Sequence, residues 1–126
     1  MSQRILLVED DTETRMMLRM ALQSADFFVR DVADGLDAIA AMQREKFDAV
    51  VLDIAMPRLD GIATLDALKV MFAERQVPVF AMSAMDEPVV VQRILEGGAI
   101  EFLQKPFDPN LLLEKLRAHL PAPANT

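Results

Sequence analysis

Five short apolar runs punctuate the chain, and each is followed by a stretch with apolar residues at helical spacing. Ile5-Leu6-Leu7-Val8 reads as a buried strand closed by Glu9-Asp10. Asp11 or Thr12 then caps a helix with Met17, Leu18, Ala21, Leu22 and Ala25 on its inner stripe, Arg15 and Arg19 on the other side, and Asp26 at its close. Phe27-Phe28-Val29 predicts a second strand, Asp34-Gly35 a turn, and Leu36, Ile39 and Ala40 a helix running out through Arg44-Glu45-Lys46. Phe47 to Leu52 is apolar nearly throughout and runs into Asp53, as expected of a central parallel strand covered on both faces. Asp60-Gly61 opens a helix with Ile62, Leu65, Leu68 and Phe72 inside, and Val77 to Met82 is the fourth strand, with Pro78 tolerated near its start. Asp86-Glu87-Pro88 starts a helix that Gly97-Gly98 stops. Ala99 to Leu103 is the fifth strand, and Asp108-Pro109 caps a last helix with Leu112, Leu113, Leu116 and Leu120 as its inner face. Strand and helix alternating in this way predict an α/β domain, doubly wound, with a mostly parallel sheet and helices on both faces.

With 126 residues, 52% of them apolar, the chain is long enough for one domain with a proper core. That domain is expected over residues 1–120, with the Pro/Ala-rich segment 121–126 as a flexible tail or the start of a linker. The absence of cysteine removes disulfides, thiol chemistry and sulfur-ligated metals, and fits a cytoplasmic setting. The four apolar residues after Met1-Ser2-Gln3-Arg4 make neither a signal peptide nor a membrane span. A net charge of -7, with no tryptophan or tyrosine, argues against direct nucleic-acid binding and against attachment to anionic membranes. No Gly-rich phosphate loop and no Cys/His metal spacing is present. His119, the only histidine, reads as a surface residue favoured by the end of the last helix, without a catalytic role.

Candidate chemistry lies at the carboxyl ends of the strands, where open α/β sheets bind ligands. The first strand delivers Glu9 and Asp10, the third Asp53, the fourth Ser83 and the fifth Lys105, while the second offers no such group. Asp53 alone could be no more than a capped strand end. Three carboxylates brought together, however, raise one another's pKa values, and a hard divalent cation relieves the crowding. Oxygen-only donors suggest Mg²⁺ rather than Zn²⁺. A carboxylate such as Asp53 can attack a phosphoryl group and form an acyl phosphate, with Lys105 and Ser83 placed to stabilise the transferring oxygens.

The chain resembles the receiver domain of bacterial two-component response regulators over residues 4–120. The resemblance rests on Glu9-Asp10, on L-D-I-A-M-P-R-L-D-G from Leu52 to Gly61, on M-S-A at Met82–Ala84, on G-A at Gly98–Ala99 and on K-P-F at Lys105–Phe107. It implies a flavodoxin-like (βα)5 fold with five parallel strands in the order 2-1-3-4-5. It also implies a signalling switch in which Asp53 takes a phosphoryl group from a sensor histidine kinase or a histidine phosphotransfer protein. Asp53, Lys105 and Ser83 would carry that chemistry as Mg²⁺-dependent self-phosphorylation and self-dephosphorylation, with no separate substrate turned over. Glu9, Asp10, Asp53 and the backbone carbonyl of Ala55 would hold the Mg²⁺. Ser83 and Phe102 match the family's switch hydroxyl and aromatic, Phe102 otherwise being an ordinary core or edge aromatic. Glu9 stands where many members have Asp, and Ser83 where many have Thr. Ala55 and Met85 flank the site and imply slow loss of the phosphate.

Val89, Val90 and Val91 are consecutive on one helix and cannot all face the sheet, so they mark either a partner face, including one for a phosphorylation-dependent homodimer, or scattered surface apolar residues. The output is an effector protein or a covalently linked domain, and no output domain is expected within these residues. Two other readings remain at this point: a binding module that is never phosphorylated, and a small Mg²⁺-dependent phosphatase with an aspartate nucleophile.

Overall fold

The computed structural model describes residues 2–54, 66, 67, 69, 77–84 and 87–121. Its elements in chain order are β1 (Arg4–Val8), α1 (Thr12–Ser24), β2 (Phe28–Val32), α2 (Gly35–Arg44), β3 (Ala49–Asp53), β4 (Val79–Ser83), α3 (Pro88–Glu96), β5 (Glu101–Gln104) and α4 (Pro109–His119). Asp66, Ala67 and Lys69 are helical as well, between β3 and β4. The five strands form one sheet in the order β2-β1-β3-β4-β5, and every pair is parallel. Fold class and strand order are those the sequence implied.

Strand periodicity divides the apolar residues between two cores. Leu6, Val8, Val50, Leu52, Val79 and Ala81 point to one face, where they meet Ala38, Ala41 and Met42 of α2 and Ile94 of α3. The alternate residues Ile5, Leu7, Ala49, Val51, Phe80 and Met82 point to the other, against Leu18 and Leu22 of α1 and Leu112 and Leu116 of α4. β3 and β4 are buried at all five positions each, which is why their sequences show no polar alternation. Each leucine or isoleucine so enclosed contributes roughly 1.5–3 kcal/mol relative to exposure.

Most departures from the sequence reading lie at element ends. β2 continues to Val32, because an edge strand can carry Arg30 and Asp31 without burying both faces. α1 stops at Ser24, two residues short of Asp26, which takes a left-handed φ of 70° and turns the chain into Phe27. Met17 was expected inside α1, but it is 48% exposed beside Met16 and Met20. Asp34, read as part of a turn, is the buried N-cap of α2, its Oδ1 accepting the Asp37 N–H at 2.9 Å. β4 and β5 each begin two residues later than expected, at Val79 and Glu101, and end one residue later, at Ser83 and Gln104. The Lys105–Pro106 peptide bond is cis. The expected helix from Asp60 through Phe72, the start at Asp86 and the tail from 122 onward fall outside the described residues, apart from the three helical residues named above.

Candidate functional site

Parallel strands in register bring their carboxyl ends to one edge, and the polar residues collect there. Val8, which ends β1, is aligned with Leu52, so Glu9 emerges beside Asp53. Asp53 is in turn aligned with Met82, next to Ser83. The Lys105 N–H donates to the Ser83 carbonyl at 2.8 Å, which draws the chain leaving β5 back across the sheet end. From there the Lys105 ammonium donates to Glu9 Oε1 and to Asp53 Oδ2, the latter at 3.2 Å. Glu9 and Ser83 are fully buried and Asp53 nearly so, whereas Asp10 is exposed. One carboxylate oxygen from each of Glu9, Asp10 and Asp53 lies within 4.8 Å of the others.

Burial pushes the Glu9 carboxyl up to about 7, and its hydrogen bond to Asp53 adds to the rise; the bonds from Lys105 and from the Asp11 N–H pull the other way. Burial also works against the Lys105 ammonium. The Glu9 hydrogen bond and the charges of Asp53 and Glu9 outweigh it, so Lys105 titrates above its ordinary value. The Lys105 ammonium lies between the two buried carboxylates, and the raised Glu9 pKa lessens the negative charge it must offset. The donor set is all oxygen and open on the Asp10 side, which suits a small hard cation that keeps part of its water shell. Glu9, Asp10 and Asp53 therefore fit Mg²⁺, and no histidine or cysteine is near to favour a softer ion.

The other expected residues take varied places. Asp11 is the cap of α1, its Oδ2 accepting the Thr14 N–H at 2.9 Å. Phe102 on β5 is half-buried and packs against the core on the α2 and α3 side of the sheet. On α3, Val90 packs against that same core while Val89 is 66% exposed, and Val91 is intermediate. Ala55 and Met85 lie outside the described residues. His119 has more company than a surface residue requires: its ring meets Phe80 edge-on at 5.7 Å, and its Nε2 is 2.8 Å from Glu101 Oε2, which Lys115 also engages.

The sequence reading missed one residue near the site. Arg15 was placed on the outer side of α1. Instead its Nη1 donates to the Glu9 carbonyl at 2.8 Å and its Nε pairs with Asp31 of β2 at 3.2 Å. The second strand thus does reach toward the site, through Arg15. The available signal was the spacing: an arginine one turn into a helix that starts beside two free strand-end carbonyls.

Comparison with known proteins gives the family. The family model for the response regulator receiver domain matches residues 5–117. The chain is 36% identical over 120 residues to the DNA-binding response regulator MtrA of Mycobacterium leprae, covering 95% of this chain and 52% of that protein. It is 37% identical over 122 residues to the response regulator MprA of Mycobacterium ulcerans, covering 95% and 51%. Among solved structures, the chemotaxis protein CheY4 of Vibrio cholerae superposes with a TM-score of 0.89 at 30% identity, covering 95% of this chain and 100% of that one. A receiver domain of the sensor histidine kinase PA1611 from Pseudomonas aeruginosa, solved with magnesium coordinated in its active-site cleft, superposes at 0.85 with 30% identity, covering 94% and 97%. The fold and the acidic site define a phosphoacceptor signalling module, and the chain belongs to the response regulator receiver domain family. It spans about half the length of the curated relatives it matches. The DNA binding in the name of MtrA belongs to that longer protein, so the expectation of no direct nucleic-acid binding extends only to the residues read here. Among the described residues no helix is long and apolar enough to cross a membrane.

Proposed function

We propose that Asp53 is the phosphoacceptor of a Mg²⁺-dependent switch, receiving its phosphoryl group from a phosphohistidine on a sensor histidine kinase or phosphotransfer protein. The observation that carries this reading is the placement of the Asp53 carboxylate, buried at the end of the central strand with the Lys105 ammonium 3.2 Å from its Oδ2. An Asp53 oxygen forms a bond to phosphorus, the bond from phosphorus to the donor nitrogen breaks, and the imidazole leaves with the electron pair. Glu9, Asp10, Asp53 and the Ala55 carbonyl would hold the Mg²⁺, which when bound offsets negative charge on the phosphoryl oxygens. Lys105 already bridges Glu9 and Asp53 and follows the developing charge, while Ser83 offers its hydroxyl to a phosphoryl oxygen. Phe102 then moves with Ser83, and the changed face around α3, β5 and α4 binds an effector, a linked output domain or a second copy. Catalysis here is self-modification and its reversal by water, in the cytoplasm where a kinase meets it.

Intact mass after incubation with acetyl phosphate tests the reading. Wild type with Mg²⁺ gains one phosphoryl group, about 80 Da. Asp53→Asn, or wild type in excess chelator, gains none. An adduct indifferent to Asp53 would point to another acceptor. No adduct at all would favour a binding module that is never phosphorylated, and steady release of phosphate from added esters a phosphatase.

A further inference from the structure

We propose that Arg15 is a positioning residue that holds the Glu9-Asp10 loop in its cation-binding shape, and that Asp31 of β2 holds Arg15. The inference rests on the reading of Glu9, Asp10 and Asp53 as a Mg²⁺ site. β1 ends at Val8, and beyond it the chain must turn sharply so that two consecutive acidic side chains face Asp53. The Glu9 N–H still pairs with β2, donating to the Val32 carbonyl at 3.1 Å. The carbonyls of Glu9 and Asp10 point instead toward α1, where Arg15 Nη1 lies 2.8 Å from the first and 3.4 Å from the second. A single planar guanidinium therefore gathers two successive peptide carbonyls. It thereby sets the orientation of the peptide units from which both carboxylates project.

The guanidinium is itself held. Arg15 Nε meets Asp31 Oδ2 at 3.2 Å, and Arg19 Nη1, one turn further along α1, meets Asp31 Oδ1 at 3.2 Å. The Arg15 side chain is only 18% exposed, so its ion pair is partly shielded from solvent. The chain of contacts runs from the edge strand through Asp31 and Arg15 to the backbone of the acidic loop. Arg15 meets the backbone carbonyls of the cation-site residues rather than the reacting atoms. Its part is that of the outer groups that orient metal ligands, whose loss commonly weakens metal binding about 10–100-fold. A lysine keeps the charge but cannot address two carbonyls and a carboxylate from one rigid plane.

The test is a Mg²⁺ titration followed by amide NMR, on wild type, Arg15→Ala, Arg15→Lys, Asp31→Asn and, as a control on the exposed side of the same helix, Met16→Ala. The thermal midpoint of each is measured alongside. Arg15→Ala is expected to raise the Mg²⁺ Kd about tenfold, Arg15→Lys and Asp31→Asn by less, and Met16→Ala not at all. A residue that only stabilises the fold would lower the thermal midpoint and leave the Kd in place. That pattern, or an unchanged Kd in a folded Arg15→Ala protein, overturns the proposal. Should Arg15→Ala fail to fold, the Kd values of Arg15→Lys and Asp31→Asn decide it in the same way. Should wild type bind no Mg²⁺, the metal reading fails separately. The metal-free exchange rates of the Asp10 and Asp11 amides then decide the positioning role: faster exchange in the Arg15 variants supports it, and equal rates overturn it.

Discussion

Buried between Lys105 and Asp53, Glu9 ionises near pH 7 in the folded protein against 4.5 when free, with burial as the leading cause. In the metal-free protein the folded state therefore holds a proton that the unfolded state has released over most of that interval. The stabilising contribution of protonated Glu9 is complete below about pH 4.5 and is lost as the pH rises through 7. At about 1.4 kcal/mol per pH unit of difference, the loss is on the order of 3 kcal/mol. Glu9→Gln keeps the size and removes the titration. Its stability in chelator, measured by urea unfolding, is expected to fall less between pH 5 and 8 than that of wild type and to exceed wild type at pH 8. Parallel pH profiles for the two proteins would remove Glu9 as the source. A Mg²⁺ ion held as proposed would compete with the same proton, so its binding near pH 7 is expected to release protons and to weaken as the pH falls. The glutamate and its neighbours were legible in the sequence, because an apolar strand that ends in carboxylates names its own site. The rise in the Glu9 pKa was not, since it depends on how deeply the side chain is buried and on how close side chains from different strands come.

Helix starts and strand ends set where those side chains stand. Asp11, Asp34 and Asp108 each accept a backbone N–H at the first turn of α1, α2 and α4. Asp108 was evident from its position before a helical pattern, and Asp11 was one of two candidates with Thr12. Asp34 was hidden by Gly35, whose presence suggested a turn; here the glycine is simply the first helical residue. Of the three caps only Asp34 is buried, so Asp34→Ala removes a buried acceptor from the part-buried hydrogen bond of the Asp37 N–H. Unfolding by urea is expected to show a loss of about 1–2 kcal/mol, with phosphorylation of Asp53 by acetyl phosphate unchanged. A loss under 0.5 kcal/mol, roughly the range of an ordinary surface change, would mean another group replaces the cap. β2 shows the limit of reading strands by apolar runs. Its Arg30 and Asp31 looked like a strand end, yet an edge strand needs one covered face only, and Asp31 uses its place to meet Arg15 and Arg19. Arg15 was set aside for a related reason: helical spacing sorts residues by face, and a long side chain can leave its own face to reach a neighbouring loop.

At the scale of the whole molecule, the proposed switch would have the sheet separate the chemistry from the surface that answers it. Asp53 sits at the end of β3, while β5 is an edge strand, and both Phe102 and Val90 pack against the core under α2 and α3. A dianionic group formed at Asp53 adds charge next to Glu9 and Asp10 and can be met by Lys105 and Ser83, both at the ends of the strands that carry this edge. Strand order and site were legible because parallel α/β units obey strong rules of connection and put their polar residues at one end. Which valine faces outward was not, because three in a row satisfy no single helical face. The structure separates them: Val90 is part of the core packing, and Val89 is exposed. Val89→Glu should therefore fold as wild type does, since the new carboxylate stays in water. If the face around α3 joins two copies after phosphorylation, the change places a charge from each copy into an apolar contact and costs association several kcal/mol. Sedimentation of wild type treated with acetyl phosphate and Mg²⁺ is expected to show a dimer, and Val89→Glu a monomer phosphorylated to the same extent. A dimer that persists in Val89→Glu would assign the contact elsewhere. A wild type that stays monomeric when phosphorylated would leave this face to an effector of different sequence, for which the same variant supplies the binding control.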